Sequence, residues 1–439
     1  MPEFVDIAVV GGGAAGLMAA ITAGRAARSP GTPRRIVTLD GARKLGAKIL
    51  VSGGGRCNVT HDVVDESAFA GSSPSAIRKV LQRFDVRETI RFFRELGVKL
   101  KREETGKLFP VTDDAHLVLN ALLTAAHDAG IELRHPARVD QIVPAPGPPA
   151  HGNAGETPVP RSFLLTGDFG ELTARRVILA TGGKSLPKTG SDGRGYELAR
   201  RLGHTITPLV LPALVPLILE ESCFIRRLSG LTLPATLELR SASGKRLLSL
   251  TDSTLCTHFG LSGPSVLDMS RYYLHAVAED PDAGLLINWL PGETRESLDA
   301  ALIGLARRGG STSIGRFLGE RLPQRLVACL GERVGVAASL AANALTKTQR
   351  HALASIVTAM PLPVTGDRGF NYAEVTAGGV PLKEIRLETM ESRIMPGLYL
   401  CGEICDVDGR IGGYNFQWAW ASGYVAGLAA ASPLSEPRP

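Results

Sequence analysis

Gly11, Gly13 and Gly16 occupy the three fixed positions of G-x-G-x-x-G, a spacing whose chemistry depends on what flanks it. Residues 7–10 are an apolar, β-branched-rich run of the kind that forms a strand buried on both faces, and from Ala14 onward the chain turns Ala-rich and helical. Each glycine then has its own task at a strand-to-helix turn. Gly11 permits the tight turn, Gly13 lets a pyrophosphate approach the backbone, and Gly16 lets the helix pack on the strand. The helix that Ala14 and Ala15 open offers unpaired N–H groups and the positive end of its dipole to the phosphates. Residues 35–40 read as the next strand, ending in Asp40 at the spacing where a carboxylate takes a ribose hydroxyl pair. The competing reading of the motif alone is a glycine-rich turn with no ligand.

Four further stretches carry chemistry of the same kind. Ser52, Gly53, Gly54 and Gly55 run into Arg56, Cys57 and Asn58, and three consecutive glycines suit neither a strand nor a helix interior. They mark backbone lying against something flat: a loop over a flavin ring with Arg56 and Asn58 as polar contacts, or else a surface loop. Residues 177–180 form a buried-type strand entering Thr181, Gly182 and Gly183. Residues 398–400 end in Gly402 and Glu403, and Gly412, Gly413, Tyr414 and Asn415 open the last helix, so a second helix N-terminus faces a ligand. Residues 375–380 return to a strand and then Gly378–Gly379.

Among side chains able to move protons, His258 precedes a helix-opening Ser-Gly-Pro, and Tyr414 adjoins the two-glycine turn. His258 also fits a hydrogen-bonded histidine at a domain junction. Cys57 has no resolving cysteine at close spacing, which favours a packed thiol over a redox one. Cys401 and Cys405 read as a buried structural pair. No cluster has the spacing of metal ligands.

The elements that must position these groups span 439 residues, more than one core usually supports. With 44% hydrophobic and 21% charged residues and 50 glycines, the chain is a turn-rich α/β protein, not a disordered one. Its net charge of +6 is spread thinly, and aromatic content is 5%, so nucleic acid is not the expected partner. The six cysteines form no disulfide framework, and neither a signal peptide nor a membrane span is indicated. The expected location is therefore the cytoplasm. Helices are expected between residues 75 and 96, at 115–127, 193–202, 264–273, 294–306, 314–322 and 416–430. Strands fall at 233–240, 245–250 and 285–289. The Pro- and Gly-rich residues 144–160 read as an exposed hairpin tip. The fold class is α/β: a Rossmann-like domain assembled from residues 1–190 and 356–439, interrupted by an inserted, β-rich α+β domain at 191–355.

Lined up, these segments resemble the two-dinucleotide-binding-domain flavoproteins, and more narrowly the bacterial BaiN-like or aminoacetone-oxidase-like FAD-dependent oxidoreductases. The likeness rests on VVGGGAAGLMAA, GAKILVSGGGRCNVT, ATGG, THFGLSGPSVL, VTAGGV and LYLCGEICDVDGRIGGYNFQWAWASG, which together cover nearly the whole length. The resemblance implies FAD along the first and last segments, with the insert capping the flavin. It places Gly11, Gly13, Ala14, Ala15 and Gly16 at the pyrophosphate and Asp40, in place of the more frequent Glu, at the adenosine ribose. Glu403 falls at the ribityl chain, and Gly412, Gly413, Tyr414 and Asn415 at the pyrimidine end of the ring. Lys48, Ser52, Gly53, Gly54, Arg56, Cys57, Asn58, Val139, Thr181, Gly182, Gly183 and Gly402 complete the cofactor-binding set.

The implied function is hydride transfer between flavin N5 and a small organic substrate, with NAD(P)H as a candidate reductant and His258, Tyr414 and Arg56 as candidate catalytic residues. The chain offers one G-x-G-x-x-G, so either NAD(P)H reacts without a dedicated Rossmann domain or the flavin takes electrons directly from its organic substrate, and the favoured arrangement is a single cavity on the flavin face that nicotinamide and substrate use in alternation. The rival reading is a flavin-binding regulatory or RNA-modification accessory protein.

Overall fold

A computed structural model describes residues 3–27, 34–145, 162–307 and 312–432. The expected hairpin tip at 144–160 lies almost wholly outside the described residues. The chain forms two compact units, Met1–Pro212 with Glu374–Pro439, and Ala213–Ala373.

In chain order the principal elements of the first unit are β1 (Glu3–Val10), α1 (Ala14–Ala26), β2 (Ile36–Leu39), α2 (Ala115–Asp128), β3 (Glu132–Arg134), β4 (Val139–Ala145), β5 (Ser162–Gly167), β6 (Gly170–Leu179), α3 (Arg194–Arg201), β7 (Leu398–Leu400) and α4 (Tyr414–Ala431). Strands β7, β6, β1, β2 and β3 lie side by side in that order, every pair parallel. Val5, Ile7, Ile36, Ile178 and Leu400 are buried in it, as strands covered on both faces require. The meander of β4 and β5 continues antiparallel onto β6.

Helix α4 packs along α1 through glycine. A Cβ at Gly423 would stand 2.5 Å from the Ala15 carbonyl oxygen, and one at Gly427 would stand 2.2 Å from that of Ala19. Only hydrogen at these positions lets the two backbones approach so closely.

The second unit holds an antiparallel sheet in the order Met360–Leu362, Gly284–Asn288, Thr232–Arg240, Arg246–Cys256, Gly260–Ser262, Leu217–Leu219 and Val364–Asp367. Its core contains Trp289, Leu237, Ile287, Leu326 and Leu353. Helices Gln324–Arg333 and Lys347–Thr358 were not among those expected from periodicity.

Both joins between units fall later than residues 190 and 355. Tyr196, Leu198 and Ala199 of α3 are buried in the first core, which draws residues 191–212 into the nucleotide-type unit. Leu353, Val357 and Met360 are buried in the second core and carry that unit through Ala373.

Candidate cofactor and active site

Three strand ends converge on the first turn of α1. Ala180 N donates to Val10 O at 2.8 Å, and Cys401 N donates to Leu179 O at 3.1 Å, so the turns after β1, β6 and β7 leave the sheet side by side. Gly11 has φ +108°, and a Cβ there would lie 2.4 Å from Ala180 O. A Cβ at Gly16 would lie 1.8 Å from Gly11 O, and one at Gly402 would lie 2.7 Å from the Cβ of Ala15. Gly13 differs: nothing stands within 4 Å of where its Cβ would be. The turn is thus tight on its protein side and open on the other. No side chain caps α1, and its first turn holds no acid. An open, uncapped, acid-free helix start fits a pyrophosphate.

Asp40 is pinned where β2 ends. Its Oδ2 accepts from Gly12 N at 2.6 Å and its Oδ1 from Ala42 N at 2.7 Å, which leaves each oxygen a lone pair for a hydroxyl donor. The chain at the start of β4 runs alongside, with Ala137 N donating to Asp40 O at 2.7 Å and Val139 buried just after it. Asp40 and Val139 therefore flank one side of the glycine turn, and Thr181 and Gly182 flank another.

Glu403 is engaged from three directions. Its Oε1 accepts from Ser185 Oγ at 2.8 Å and Thr376 N at 3.0 Å, and its Oε2 from Lys48 Nζ at 2.7 Å. Lys48 Nζ also donates to Ser185 Oγ at 2.7 Å. Gly183 makes room for this cluster, because a Cβ there would meet Thr376 Oγ1 at 2.6 Å and Glu403 Oε1 at 2.8 Å. The turn bearing Glu403 hangs from α4: Gly402 N donates to Ser422 Oγ at 2.9 Å, and Trp418 Nε1 donates to Gly402 O at 3.1 Å.

The glycine loop is exposed at Gly53, Gly54 and Gly55, and a Cβ on Gly54 would meet nothing within 4 Å. Its face is therefore free for a flat ring. Ser52 Oγ donates to Ile49 O at 2.8 Å. Arg56 is turned aside: it pairs with Glu103 at 2.6 Å and Asp113 at 3.6 Å and lies 4.0 Å over the Phe109 ring. Those partners give Arg56 a structural task, tying the loop to the turns at Glu103 and Asp113. Cys57 takes a left-handed conformation, φ +61°, and is fully buried. Burial pushes its thiol up to about 12, so it stays protonated and inert at neutral pH. Asn58 is buried with its Oδ1 lacking any hydrogen-bond partner among the described residues. That orphaned acceptor, beside the open glycine loop, is a second feature that suits a bound flavin.

Beyond it, Gly413 has φ +94° and caps α4, and a Cβ there would strike the Thr60 backbone at 2.6 Å. Tyr414 stacks on His61, with ring centroids 4.9 Å apart, and meets Phe69 edge-on at 6.1 Å. The side chain of Asn415 closes its own loop, donating to Gly409 O at 2.9 Å and accepting from Gly409 N at 2.8 Å. Its carboxamide thus holds the turn closed. His258 belongs to the second unit, exposed in the loop before Gly260–Ser262, with its ring edge-on to Phe259.

Over residues 5–429 the sequence matches the family described as HI0933-like protein Rossmann domain. The chain belongs to the HI0933-like family. It is 34% identical over 426 residues to a 3-dehydro-bile acid delta(4,6)-reductase of Clostridium scindens, covering 97% of this chain and 98% of that one. It is 31% identical over 425 residues to a ribosomal RNA dihydrouridine synthase of Escherichia coli, covering 96% and 97%. A solved 3-ketosteroid-delta4-(5alpha)-dehydrogenase of Rhodococcus jostii aligns over 98% of this chain and 97% of its own, with 15% identity and a TM-score of 0.47. This HI0933-like chain is a flavin-dependent oxidoreductase with a Rossmann-type FAD-binding fold. Among the described residues, no helix is long and apolar enough to cross a membrane, and no group of three or more His, Cys, Asp or Glu could hold a metal ion.

Sequence reasoning missed several residues of this HI0933-like site. Ser185, which helps fix Glu403, carries no motif of its own, and Thr376, although inside VTAGGV, was not singled out there. Gln417 is buried with its Oε1 accepting from Thr60 Oγ1 at 2.7 Å and Thr89 Oγ1 at 2.9 Å, while its Nε2 donates to Phe84 O at 2.9 Å. A glutamine between aromatic residues in an otherwise apolar helix was the available signal.

Proposed function

We propose that this protein is an FAD-dependent reductase of carbon–carbon double bonds conjugated to a carbonyl. The observation that carries the reading is the full-length likeness to a 3-dehydro-bile acid delta(4,6)-reductase. In such a substrate a 3-oxo group polarises the double bonds, so the β-type carbon accepts a hydride and the α-type carbon a proton. Bound FAD supplies the hydride chemistry. The chain's own part is to hold the cofactor through the α1 turn, Asp40 and the Lys48–Glu403 cluster, and to offer a proton. Tyr414, fixed between His61 and Phe69 at the two-glycine turn, is the proposed donor.

NAD(P)H is the proposed reductant. The second unit's described sheet is antiparallel throughout and supplies no strand–turn–helix crossover for a second dinucleotide. Nicotinamide and substrate are thus expected to use the flavin in alternation, with ping-pong kinetics. The test is anaerobic: reduce the flavin with NADPH, NADH or dithionite, then add a 3-oxo-4-ene steroid, a simple enone, or air. Reoxidation by an enone faster than by air supports the reading, and reoxidation by air alone refutes it.

A second reading is favoured by the likeness to ribosomal RNA dihydrouridine synthase, because dihydrouridine is also the product of reducing a double bond conjugated to a carbonyl. Loss of dihydrouridine from ribosomal RNA in a deletion strain, restored by the intact gene, would select it over a free small-molecule substrate.

A further inference from the structure

The backbone around Asn58 is fixed, while its side-chain oxygen meets no hydrogen-bond donor among the described residues. Asn58 is 8% exposed, and its Oδ1 is buried without a partner among the described residues. The backbone on either side is fixed: Cys57 N donates to Ser52 O at 3.0 Å, Val59 N to Leu108 O at 2.9 Å, and Val59 O accepts from Trp420 Nε1 at 2.9 Å. The backbone that carries the side chain is thus anchored on both sides, once to Trp420 of α4. A buried acceptor left unsatisfied costs free energy, and a ligand donor that reaches it recovers that cost on binding.

Its position narrows the donor. Asn58 lies two residues before Thr60, whose backbone abuts the Gly413 turn at the start of α4. On its other side it borders the glycine loop, where a Cβ on Gly53 would stand 3.1 Å from Asn58 N. An oxidised isoalloxazine presents acceptors at N1, N5, O2 and O4, and a single edge N–H, at N3 of the imide. FAD's other donors are the adenine amino group and the ribose and ribityl hydroxyls; the carboxylates available to those hydroxyls, Asp40 and Glu403, are held at separate turns, by Gly12 and Ala42 and by Lys48 and Ser185.

We propose that Asn58 recognises the flavin's imide edge, its Oδ1 accepting a hydrogen bond from N3–H. The inference rests on the FAD site described above and assigns one of its contacts to one atom. It makes Asn58 a residue that selects the imide of a flavin rather than any flat aromatic ring.

The experiment is binding, with no turnover required. Apoprotein is titrated with FAD, with FAD methylated at N3, and with ADP, using wild type and Asn58→Leu. Wild type should bind N3-methyl-FAD about tenfold or more weakly than FAD, whereas Asn58→Leu should lose about as much affinity for FAD and distinguish the two flavins little. ADP should bind both proteins alike. Equal affinity of wild type for FAD and N3-methyl-FAD overturns the proposal while leaving the FAD site intact. A loss of ADP binding in folded Asn58→Leu places the contact at the adenine and also overturns it. Failure of wild type to bind FAD at all removes the underlying site. If Asn58→Leu does not fold, the wild-type comparison of the two flavins decides alone.

Discussion

Replacing Lys48 with methionine removes an ammonium that stands 2.7 Å from Glu403 Oε2 and 2.7 Å from Ser185 Oγ. The bare attraction between unit charges at such a distance is about 6 kcal/mol at an effective dielectric constant of about 20. Much of that only offsets desolvation, since the two side chains keep 26% and 17% of their exposure. Losing the partner of a hydrogen-bonded, largely buried carboxylate should therefore cost about 2 kcal/mol. Glu403→Gln should cost less, about 1 kcal/mol, because an amide oxygen can still accept from Ser185 and Thr376 N. In the double variant the stranded charge is gone, so the pair should cost about 1–2 kcal/mol less than the sum. Urea unfolding of the flavin-stripped protein measures this, in a Trp289→Phe background so that emission reports Trp418 and Trp420 of the first unit. Flavin fluorescence on titration with FAD gives the parallel cycle for cofactor affinity. Additivity within about 0.5 kcal/mol in both cycles would refute the reasoning.

Gly427→Ala should destabilise by about 2 kcal/mol, an overpacking penalty against the Ala19 carbonyl partly relieved by helix propensity, while Gly319→Ala, at a helical position with open space around it, should stabilise by about 0.5 kcal/mol in the same unfolding assay. Alkylation of the native protein, followed by intact mass, should modify Cys223 and Cys329 alone, because Cys57, Cys256, Cys401 and Cys405 are buried, and burial raises the first three thiols to about 12 and the Cys405 thiol well above its ordinary value; an adduct on Cys57 in folded protein would contradict this. The side-chain hydrogen bond from Arg134 and that from Arg35 lower the Glu3 carboxyl from 4.5 to about 2. Its contribution should thus be present above pH 4.5 and fade as pH falls toward 2. After screening of a side chain 33% exposed it amounts to about 1 kcal/mol, read as the difference between wild type and Glu3→Gln across that window.

The strand–glycine–helix segments were legible because all their chemistry is contiguous: residues 7–16 contain the strand, the turn and the helix start together. The place of Asp40 at the end of β2, against the glycine turn, was legible from spacing alone. What the sequence could not carry is pairing across distance. Lys48 meets Glu403 over 355 positions and Ser185 over 137, and neither partner is deducible without the sheet order that brings β6 and β7 together. Arg56 and Asn415 show the converse. Both stand in stretches that look like ligand contacts, yet Arg56 binds Glu103 and Asn415 binds the backbone six residues behind it. A polar side chain closing its own loop has the same local sequence as one reaching for a ligand. The joins at 212 and 373 were misplaced for a related reason: residues 191–212 carry no nucleotide motif, and only the burial of α3 assigns them.

Where the site lies follows from the order of the strands. From β1 the chain moves outward through β2 and β3, then returns to β6 and β7 on the other side of β1. The turns after β1 and β6 therefore depart in opposite directions at the carboxyl edge of the sheet, leaving a crevice between them. Any side chain on Gly11 would fill that crevice from below, through contact with Ala180. Glu403 is delivered to the same edge by β7, but its turn takes its hydrogen bonds from Ser422 and Trp418 of α4. That helix can reach the turn only because Gly423 and Gly427 let it lie against α1. One stripe of small residues near the C-terminus thus fixes the distance between the two helix starts, and with it the span available to a dinucleotide.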